Sequence, residues 1–206
     1  MNKLSTVKTM TFDGGADCLD FINSGYHAER DIVVEKLHSY DDLLILSERL
    51  DLLTSQHLHC LTLKAATNPE EAKAALIKTL EARKLLYNIF AGLAARPQKN
   101  TEQLILDQVN ALFSDALKYR RLIFENGNLI FSFQPKVDDL MAPLWKFILS
   151  AYDLFKTQNL NYIKQCQRCA WLFLDQTKNH RKKWCNMEPC GNIEKTRRYY
   201  QNKKRS

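Results

Sequence analysis

The stretch CQRCAWLFLDQTKNHRKKWCNMEPC, residues 166–190, decides the architecture of the C-terminal part of this 206-residue chain. It holds two cysteine pairs, and a structural zinc site takes four tetrahedral ligands with thiolate among the preferred donors. Two residues separate the first pair, so one turn can present both sulfurs. The second pair precedes a helix predicted over 191–204, whose N-terminus favours negative charge. The spacing predicts a treble-clef-like finger with one structural Zn²⁺, bound by Cys166, Cys169, Cys185 and Cys190.

Other interpretations of the cysteines are weaker. His180 could compete as a ligand, but it lies in a basic loop, KNHRKK. A redox CxxC motif usually accompanies a βαβ unit, and no such unit is evident. Disulfides are disfavoured without an export signal. Because four thiolates fill a tetrahedron, the expected ion is structural rather than catalytic.

The positive charge of the chain is concentrated in the same region. The whole chain has 30 Lys+Arg, 23 Asp+Glu and a net charge of +7. From Lys164 to the end there are 12 basic and three acidic residues, a net of +9, so the preceding 163 residues carry −2. Such a density is typical of a polyanion-binding surface, with a solubilising tail as the alternative. The candidate nucleic-acid contacts are Lys178, Arg181, Lys182, Lys183, Lys195, Arg197, Arg198, Asn202 and Lys203.

The apolar residues between the cysteine pairs have two structural interpretations. Trp171 to Leu174 and Trp184 are expected to form a small core around the metal rather than to stack on bases, because a finger of this size has little other core. Trp171 could instead dock the finger on the rest of the chain. In the following helix, Ile193 and Tyr200 are expected to pack inward.

The body, residues 1–160, is predicted to be mainly α with a short β-hairpin. Apolar periodicity and cap signals predict helices over 41–53, 69–95 and 138–157, and another that opens at 100–103. Asn126-Gly127 between two apolar runs predicts a hairpin over 122–133. The expected organisation is therefore a helical sensor or dimerisation domain, 1–160, followed by a zinc finger, 161–206.

The body offers little recognisable chemistry. Arg83 lies on the inner stripe of its helix and could hold an anionic ligand, although a buried guanidinium more often pairs with a carboxylate. Cys18, with Asp17, Asp20 and His27 nearby, lacks a known catalytic spacing and fits a core thiol better.

Other features argue against metal binding in the body, export and membrane insertion. His57 and His59 fit a solvated pair better than a metal site. No catalytic residue is assigned, and the protein is not expected to be an enzyme. The longest uncharged apolar run, Leu85–Ala95, is too short to span a bilayer, and no apolar signal segment opens the chain. These features predict a cytoplasmic protein without a membrane partner.

The segment CQRC to RRYY, residues 166–200, resembles the CGNR zinc finger in its paired cysteines, WLFLD, basic loop and CGN followed by a basic helix. The body is similar to the helical domain of bacterial putative stress-induced transcription regulators. That similarity rests on GG-x-x-x-LDFIN from Gly14 and on EARKLLYNIF from Glu81. The resemblance implies zinc binding by the four cysteines and a DNA-binding role in transcription.

One position departs from the family pattern. Ile193 stands where the CGNR finger has its namesake arginine, and Arg197 or Arg198 could substitute one turn later. The leading hypothesis is a DNA-binding transcription regulator whose body binds a small-molecule effector or forms a homodimer. The alternative is a zinc-stabilised protein-docking or RNA-binding module on a helical scaffold.

Overall fold

A computed structural model describes residues 5–25, 34–95, 97, 100–157 and 159–203, and within these ranges it describes no side chain for Arg198 or Asn202. The chain is 57% helical and carries two small antiparallel hairpins, which confirms the predicted mainly α class with a C-terminal cysteine-rich finger. Among the described helices, none is long and apolar enough to cross a membrane.

Seven α-helices and four β-strands make up the described fold. The helices are α1 Asp17–Asn23, α2 Tyr40–Arg49, α3 Ser55–Thr67, α4 Pro69–Ala94, α5 Gln103–Leu117, α6 Ala142–Thr157 and α7 Ile193–Lys203. The strands are β1 Arg120–Glu125, β2 Asn128–Phe133, β3 Ile163–Gln165 and β4 Leu172–Leu174. A 3₁₀ turn, Leu160–Tyr162, precedes β3, and a π-helical turn, Met187–Asn192, precedes α7.

Local signals explain where α2 and α3 begin and end. Ser39 and Asp42 form a capping box at the start of α2. The helix ends earlier than predicted, and Asp51, two residues beyond it, has a φ of 52°, which breaks the helical path. Thr54 then caps α3 by accepting from the His57 N–H. The sequence did not predict α3 because it buries a single residue, Leu61, and so lacks an apolar stripe.

The core of the body is built around α4 and α6. Pro69 occupies the first turn of α4 as predicted, although the Asn68 side chain makes no cap and bonds to Glu71 at 3.3 Å instead. The ring of Phe147 in α6 stacks on Phe21 of α1 with centroids 4.2 Å apart. Phe155 stacks on Phe90 of α4 in the same way, at 5.0 Å. Helix α1 therefore packs in the interior, next to α4 and α6.

The predicted hairpin is confirmed as β1–β2. Asn126 and Gly127 have φ values of 49° and 80°, which is the two-residue turn that matches strand twist. The strands pair antiparallel, with Ile123 opposite Ile130. The base of the hairpin is held to α6 by an ion pair between Arg120 and Asp153.

The second hairpin, β3–β4, belongs to the same core as the helices. Leu172 and Phe173 of β4 are fully buried, as is Ile163 of β3, and all three join the hydrophobic cluster that contains α1 and α4. The packing is therefore continuous across the predicted junction between residues 160 and 161.

Candidate metal centre and nucleic-acid interface

The first cysteine pair lies in a tight turn between β3 and β4. The Cys166 N–H donates to the Trp171 carbonyl at 2.8 Å, and the Ala170 N–H donates to the Cys166 carbonyl at 3.0 Å. Ala170 closes this turn with a φ of 63°. The short pairing of β3 with β4 thus presents Cys166 and Cys169 on one side of the turn.

The second pair is held by the π-helical turn ahead of α7. The Asn186 side chain accepts from the Glu188 N–H at 3.0 Å and starts the turn. Gly191 packs so closely that a Cβ there would lie 2.7 Å from the Met187 sulfur. A side chain at position 191 would therefore force the end of the Met187 side chain to move.

The four sulfurs converge on one point. The Sγ atoms of Cys166, Cys169, Cys185 and Cys190 all lie within 4.8 Å of one another, with Cys169–Cys185 at 3.5 Å and Cys185–Cys190 at 3.8 Å. A tetrahedron with metal–sulfur bonds of about 2.3 Å has edges of about 3.8 Å. A disulfide would need a sulfur–sulfur distance of about 2.0 Å, and all four cysteines are free. The donor set therefore fits a thiolate-bound metal with no open position.

His180 lies outside the sulfur cluster. Its ring stacks on Tyr162 with centroids 3.5 Å apart, and its Nδ1 is 2.7 Å from the Asp175 carbonyl oxygen. Among the described residues, the only group of three or more potential ligands that converge is the four cysteines.

The finger is joined to the body through backbone atoms of β4. Asn23, at the end of α1, donates its Nδ2 to the Leu172 carbonyl and accepts from the Leu172 N–H, both at 2.9 Å. The Leu174 N–H donates to the Gly14 carbonyl at 2.8 Å, and the Gly14 N–H donates to Asp20. The GG-x-x-x-LDFIN motif thus forms the outer partner of β4. This role is not predicted from the sequence, where the polar Asn23 at the end of an apolar segment is its one signal.

Aromatic residues of the finger also reach the body. Trp171 is 9% exposed, and the Nζ of the buried Lys36 lies 5.7 Å from its ring centroid. Asn186 donates to Asp13 at 2.9 Å, close to the start of the described chain. The apolar residues between the cysteine pairs therefore join the same hydrophobic cluster as Cys166, Cys185 and Cys190, and Trp171 also contacts the body.

A buried carboxylate fixes the basic loop. Asp175 has no exposed surface and accepts from Lys164 Nζ at 2.7 Å, the Lys182 N–H at 2.8 Å and the Thr177 hydroxyl at 2.6 Å. Burial opposes its ionisation, but these bonds, that of Lys164 first, lower the pKa of Asp175 below its ordinary value. The loop 176–183 is consequently held against the finger.

The structure places most of the predicted basic contacts on the surface. Five of the predicted contacts are exposed and form no ion pair with a described residue: Lys178, Arg181, Lys183, Lys195 and Lys203. Lys182 is half-buried, with its Nζ 5.3 Å from the Phe173 ring centroid, and Arg197 pairs with Glu194 at 3.0 Å. The predicted contacts of Arg198 and Asn202 lie outside the described side chains.

The expectation that α7 has an inner face is wrong. Ile193 is 47% exposed and Tyr200 59% exposed, because α7 packs against the turn that precedes it and buries no described residue elsewhere. The neighbouring Tyr199 is also exposed. The helix therefore projects from the metal centre with most of its surface open to solvent.

Arg83 lies inside the body. It is 4% exposed, forms an ion pair with Glu35 and donates to the Ser24 hydroxyl at 2.7 Å. A Cβ on Gly25 would overlap the guanidinium, so a side chain there would displace Arg83 from its partners.

The other candidate residues of the body do not converge on a site. Burial raises the pKa of Cys18 to about 12, and its neighbour His27 lies outside the described residues. Neither His57 nor His59 joins a group of potential metal ligands within the described ranges.

The two parts of the chain match two family models. Residues 162–203 match the CGNR zinc finger. Residues 15–158, more than half of the chain, match the model described as "Putative stress-induced transcription regulator". No curated protein matches the chain. The chain therefore belongs to the family of putative stress-induced transcription regulators and ends in a CGNR-type zinc finger.

Proposed function

We propose that the protein is a DNA-binding transcription regulator of the cytoplasm whose C-terminal finger, 161–206, is folded by one zinc ion and contacts DNA. The observation that carries this proposal is the set of five exposed cations, without an ion pair among the described residues, on the loop and the helix that adjoin the cysteine pairs. A zinc ion with four thiolates would add −2 to a segment of +9, which leaves about +7 for an anionic partner.

The four cysteines would hold the ion, and the ion would supply the folding energy of the finger rather than a reactive centre. Cys166 and Cys169 fix β3 to β4, and Cys185 and Cys190 fix the start of α7. Loss of the ion would therefore separate the basic loop from the basic helix. We accordingly propose a regulatory and not a catalytic role for the chain.

The basic loop, 176–183, and the basic helix, α7, would each contact phosphates of the DNA. Arg181 and Lys183 lie on the loop that Asp175 anchors, and Lys195 and Lys203 lie on α7. Contacts of this kind give affinity without sequence information, which comes from base edges. Arg198 and Asn202, with Tyr199, are the proposed candidates for base contacts because they lie on the same projecting helix.

The body, 1–160, would act as a sensor or dimerisation domain. A cleft of about 370 Å³ lies between the base of β1–β2 and α6, lined in part by Asp17, Arg120, Lys146 and Asp153. A small polar effector would fit this cleft. At the other proposed ligand site, Arg83, an anion would have to displace Glu35, so the cleft is the better candidate.

Fluorescence anisotropy with labelled duplex DNA tests the proposal. The variant Arg181→Glu/Lys183→Glu is compared with Lys73→Glu/Lys78→Glu, which makes the same charge change at exposed positions of α4. The loop variant is expected to bind at least tenfold more weakly, and the α4 variant to bind as the wild type does. Equal losses in both would show that the binding reflects net charge and not this surface.

A second candidate, RNA binding, is favoured by the two exposed tyrosines of α7. Tyr199 is 63% exposed and Tyr200 59% exposed, and aromatic rings on a basic surface can stack on unpaired bases. Single-stranded RNA of matched length is therefore titrated in parallel. Tighter binding to RNA than to duplex DNA, lost in Tyr199→Ala, would replace DNA by RNA as the partner.

A further inference from the structure

The tip of the β1–β2 hairpin carries an apolar face that is largely exposed, although the Arg120 guanidinium lies 5.9 Å from the Phe131 ring centroid. Leu122, Phe124, Leu129 and Phe131 are between 58% and 74% exposed. In the strand register Leu122 lies opposite Phe131, and Phe124 lies opposite Leu129, so the four side chains share one face of the sheet. Within the described residues, the base of the hairpin packs on α6 through the ion pair of Arg120 with Asp153 and through Phe133, whose ring centroid lies 5.4 Å from the Nζ of Lys146.

We propose that this hairpin is the surface through which two copies of the chain associate, with β1 paired antiparallel to β1 of the second copy. A two-stranded ribbon is marginally stable alone, and both of its edges carry unpaired backbone groups. The described residues contain no third strand in this sheet. A second copy would convert the ribbon into a four-stranded sheet.

The backbone of β1 is suited to this pairing. The Gln134 N–H donates to the Tyr119 carbonyl at 2.8 Å, so Tyr119 and Gln134 are a hydrogen-bonded pair of the β1–β2 ladder. Because bonded and non-bonded pairs alternate along antiparallel strands, the N–H and C=O groups of Leu122 and Phe124 point away from β2. A two-fold axis at Ile123 places Leu122 opposite Phe124 of the second copy. The outward N–H and C=O groups of these two residues can then bond to each other across the new strand pair.

The charges of β1 select the same register. With the axis at Ile123, Arg121 lies opposite Glu125 of the second copy, and the symmetry makes this contact twice. Opposite charges directly across from one another stabilise a sheet. The free edge of β2, from Asn128 to Phe133, offers no charged residue for such a match. Charge complementarity therefore points to a second copy on the β1 edge.

The area that the pairing buries sets the expected strength. The four apolar side chains expose roughly 500 Å² per chain, given 150–250 Å² for a whole aromatic side chain. Edge-to-edge pairing sets the two apolar faces side by side, so it buries only the parts of Leu122 and Phe124 that meet across the new strand pair, which is less than the roughly 1,000 Å² of a specific interface. We therefore expect a reversible dimer whose population depends on concentration, rather than an obligate one.

Sedimentation velocity of the zinc-loaded full chain without DNA, over a wide concentration range, tests the proposal. Phe124→Ser is expected to weaken dimerisation about tenfold or more. Leu104→Ser, at a 67% exposed position of α5, is the matched control and should leave the dimer unchanged. Far-UV circular dichroism checks that both variants remain folded.

Charge reversal tests the register. Arg121→Glu alone and Glu125→Arg alone place like charges opposite each other and should each weaken the dimer, whereas Arg121→Glu/Glu125→Arg should restore it. A wild type that is monomeric throughout, or a dimer unaffected by Phe124→Ser, would overturn the proposed surface. A double variant no tighter than the single ones would overturn the β1 pairing. None of these results depends on DNA binding.

Discussion

Asn23 and Leu172 are joined by two hydrogen bonds of 2.9 Å, one in each direction, between a side-chain amide and a backbone peptide. Asn23 ends a helix near the start of the chain, and Leu172 begins the strand that follows the first cysteine pair. The amide therefore gives β4 a partner on the edge that β3 does not cover. This contact makes the body part of the framework that positions Cys166 and Cys169.

Replacing Asn23 by alanine should destabilise the chain by about 1–3 kcal/mol, because the buried N–H and C=O of Leu172 would both lose their partner. Urea unfolding measures the change. Asn110→Ala, at an exposed position of α5, is the control and should change the free energy of unfolding little. Equal effects of the two substitutions would show that the amide bridge does not support the junction.

The buried Asp20 should make stability depend on pH. Burial raises the pKa of this carboxyl to about 7, whereas its value in an unfolded chain is near 3.8. Between these values the folded state holds more protons than the unfolded state, so the free energy of unfolding falls as pH rises.

The substitution Asp20→Asn removes this titration and still leaves an oxygen for the Gly14 N–H. Relative to the wild type, the variant should therefore gain stability as the pH rises from about 4 to about 7, by up to about 4 kcal/mol. Urea unfolding at several pH values measures it, with the exposed Asp138→Asn as control. A constant difference between Asp20→Asn and the wild type would contradict the burial argument.

Zinc removal should affect the whole chain and not the finger alone. Cys185→Ser takes away one of four ligands and is expected to abolish stoichiometric zinc by metal analysis. Because Leu172 and Phe173 lie in the common core, the thermal midpoint of the complete chain should fall in one transition. Cys60→Ser, away from the cluster, should keep one zinc per chain. A separate low-temperature transition, with the body's own melting unchanged, would show that the finger is independent.

The predictable parts of the fold rest on strong local signals. Pro69 opens a long helix with an apolar stripe, Asn126-Gly127 closes a hairpin, and the cysteine spacing brings four sulfurs together. Each signal lies within a short segment, so sequence pattern captures it.

The unpredicted parts depend on distant partners. The bond pair between Asn23 and Leu172 joins residues far apart in sequence, and no local pattern encodes it. The prediction that α7 has an inner face was also wrong. Ile193 and Tyr200 have helical spacing, but no other part of the described chain packs against them. For the same reason the buried Asp175, which anchors the basic loop, could not be told from a surface acid.

Restoring arginine at position 193 should strengthen DNA binding. Ile193 is 47% exposed at the first residue of α7, beside the metal centre, so a longer cationic side chain has room to reach a phosphate. The substitution Ile193→Arg should raise affinity and steepen the salt dependence by about one phosphate contact. Ile193→Gln, which lengthens the side chain without charge, is the control. No gain from arginine would place this position outside the interface.

The central claim is that the zinc-folded basic surface binds DNA through its phosphates. Its most direct test is the slope of log Kobs against log salt for duplex DNA, measured for the zinc-loaded wild type and for the zinc-free protein. Five exposed cations that form no ion pair with a described residue predict a slope of about −4.5 with zinc, given about −0.9 per neutralised phosphate, and much weaker binding without it. Absence of binding, or binding with no dependence on salt, would contradict the claim.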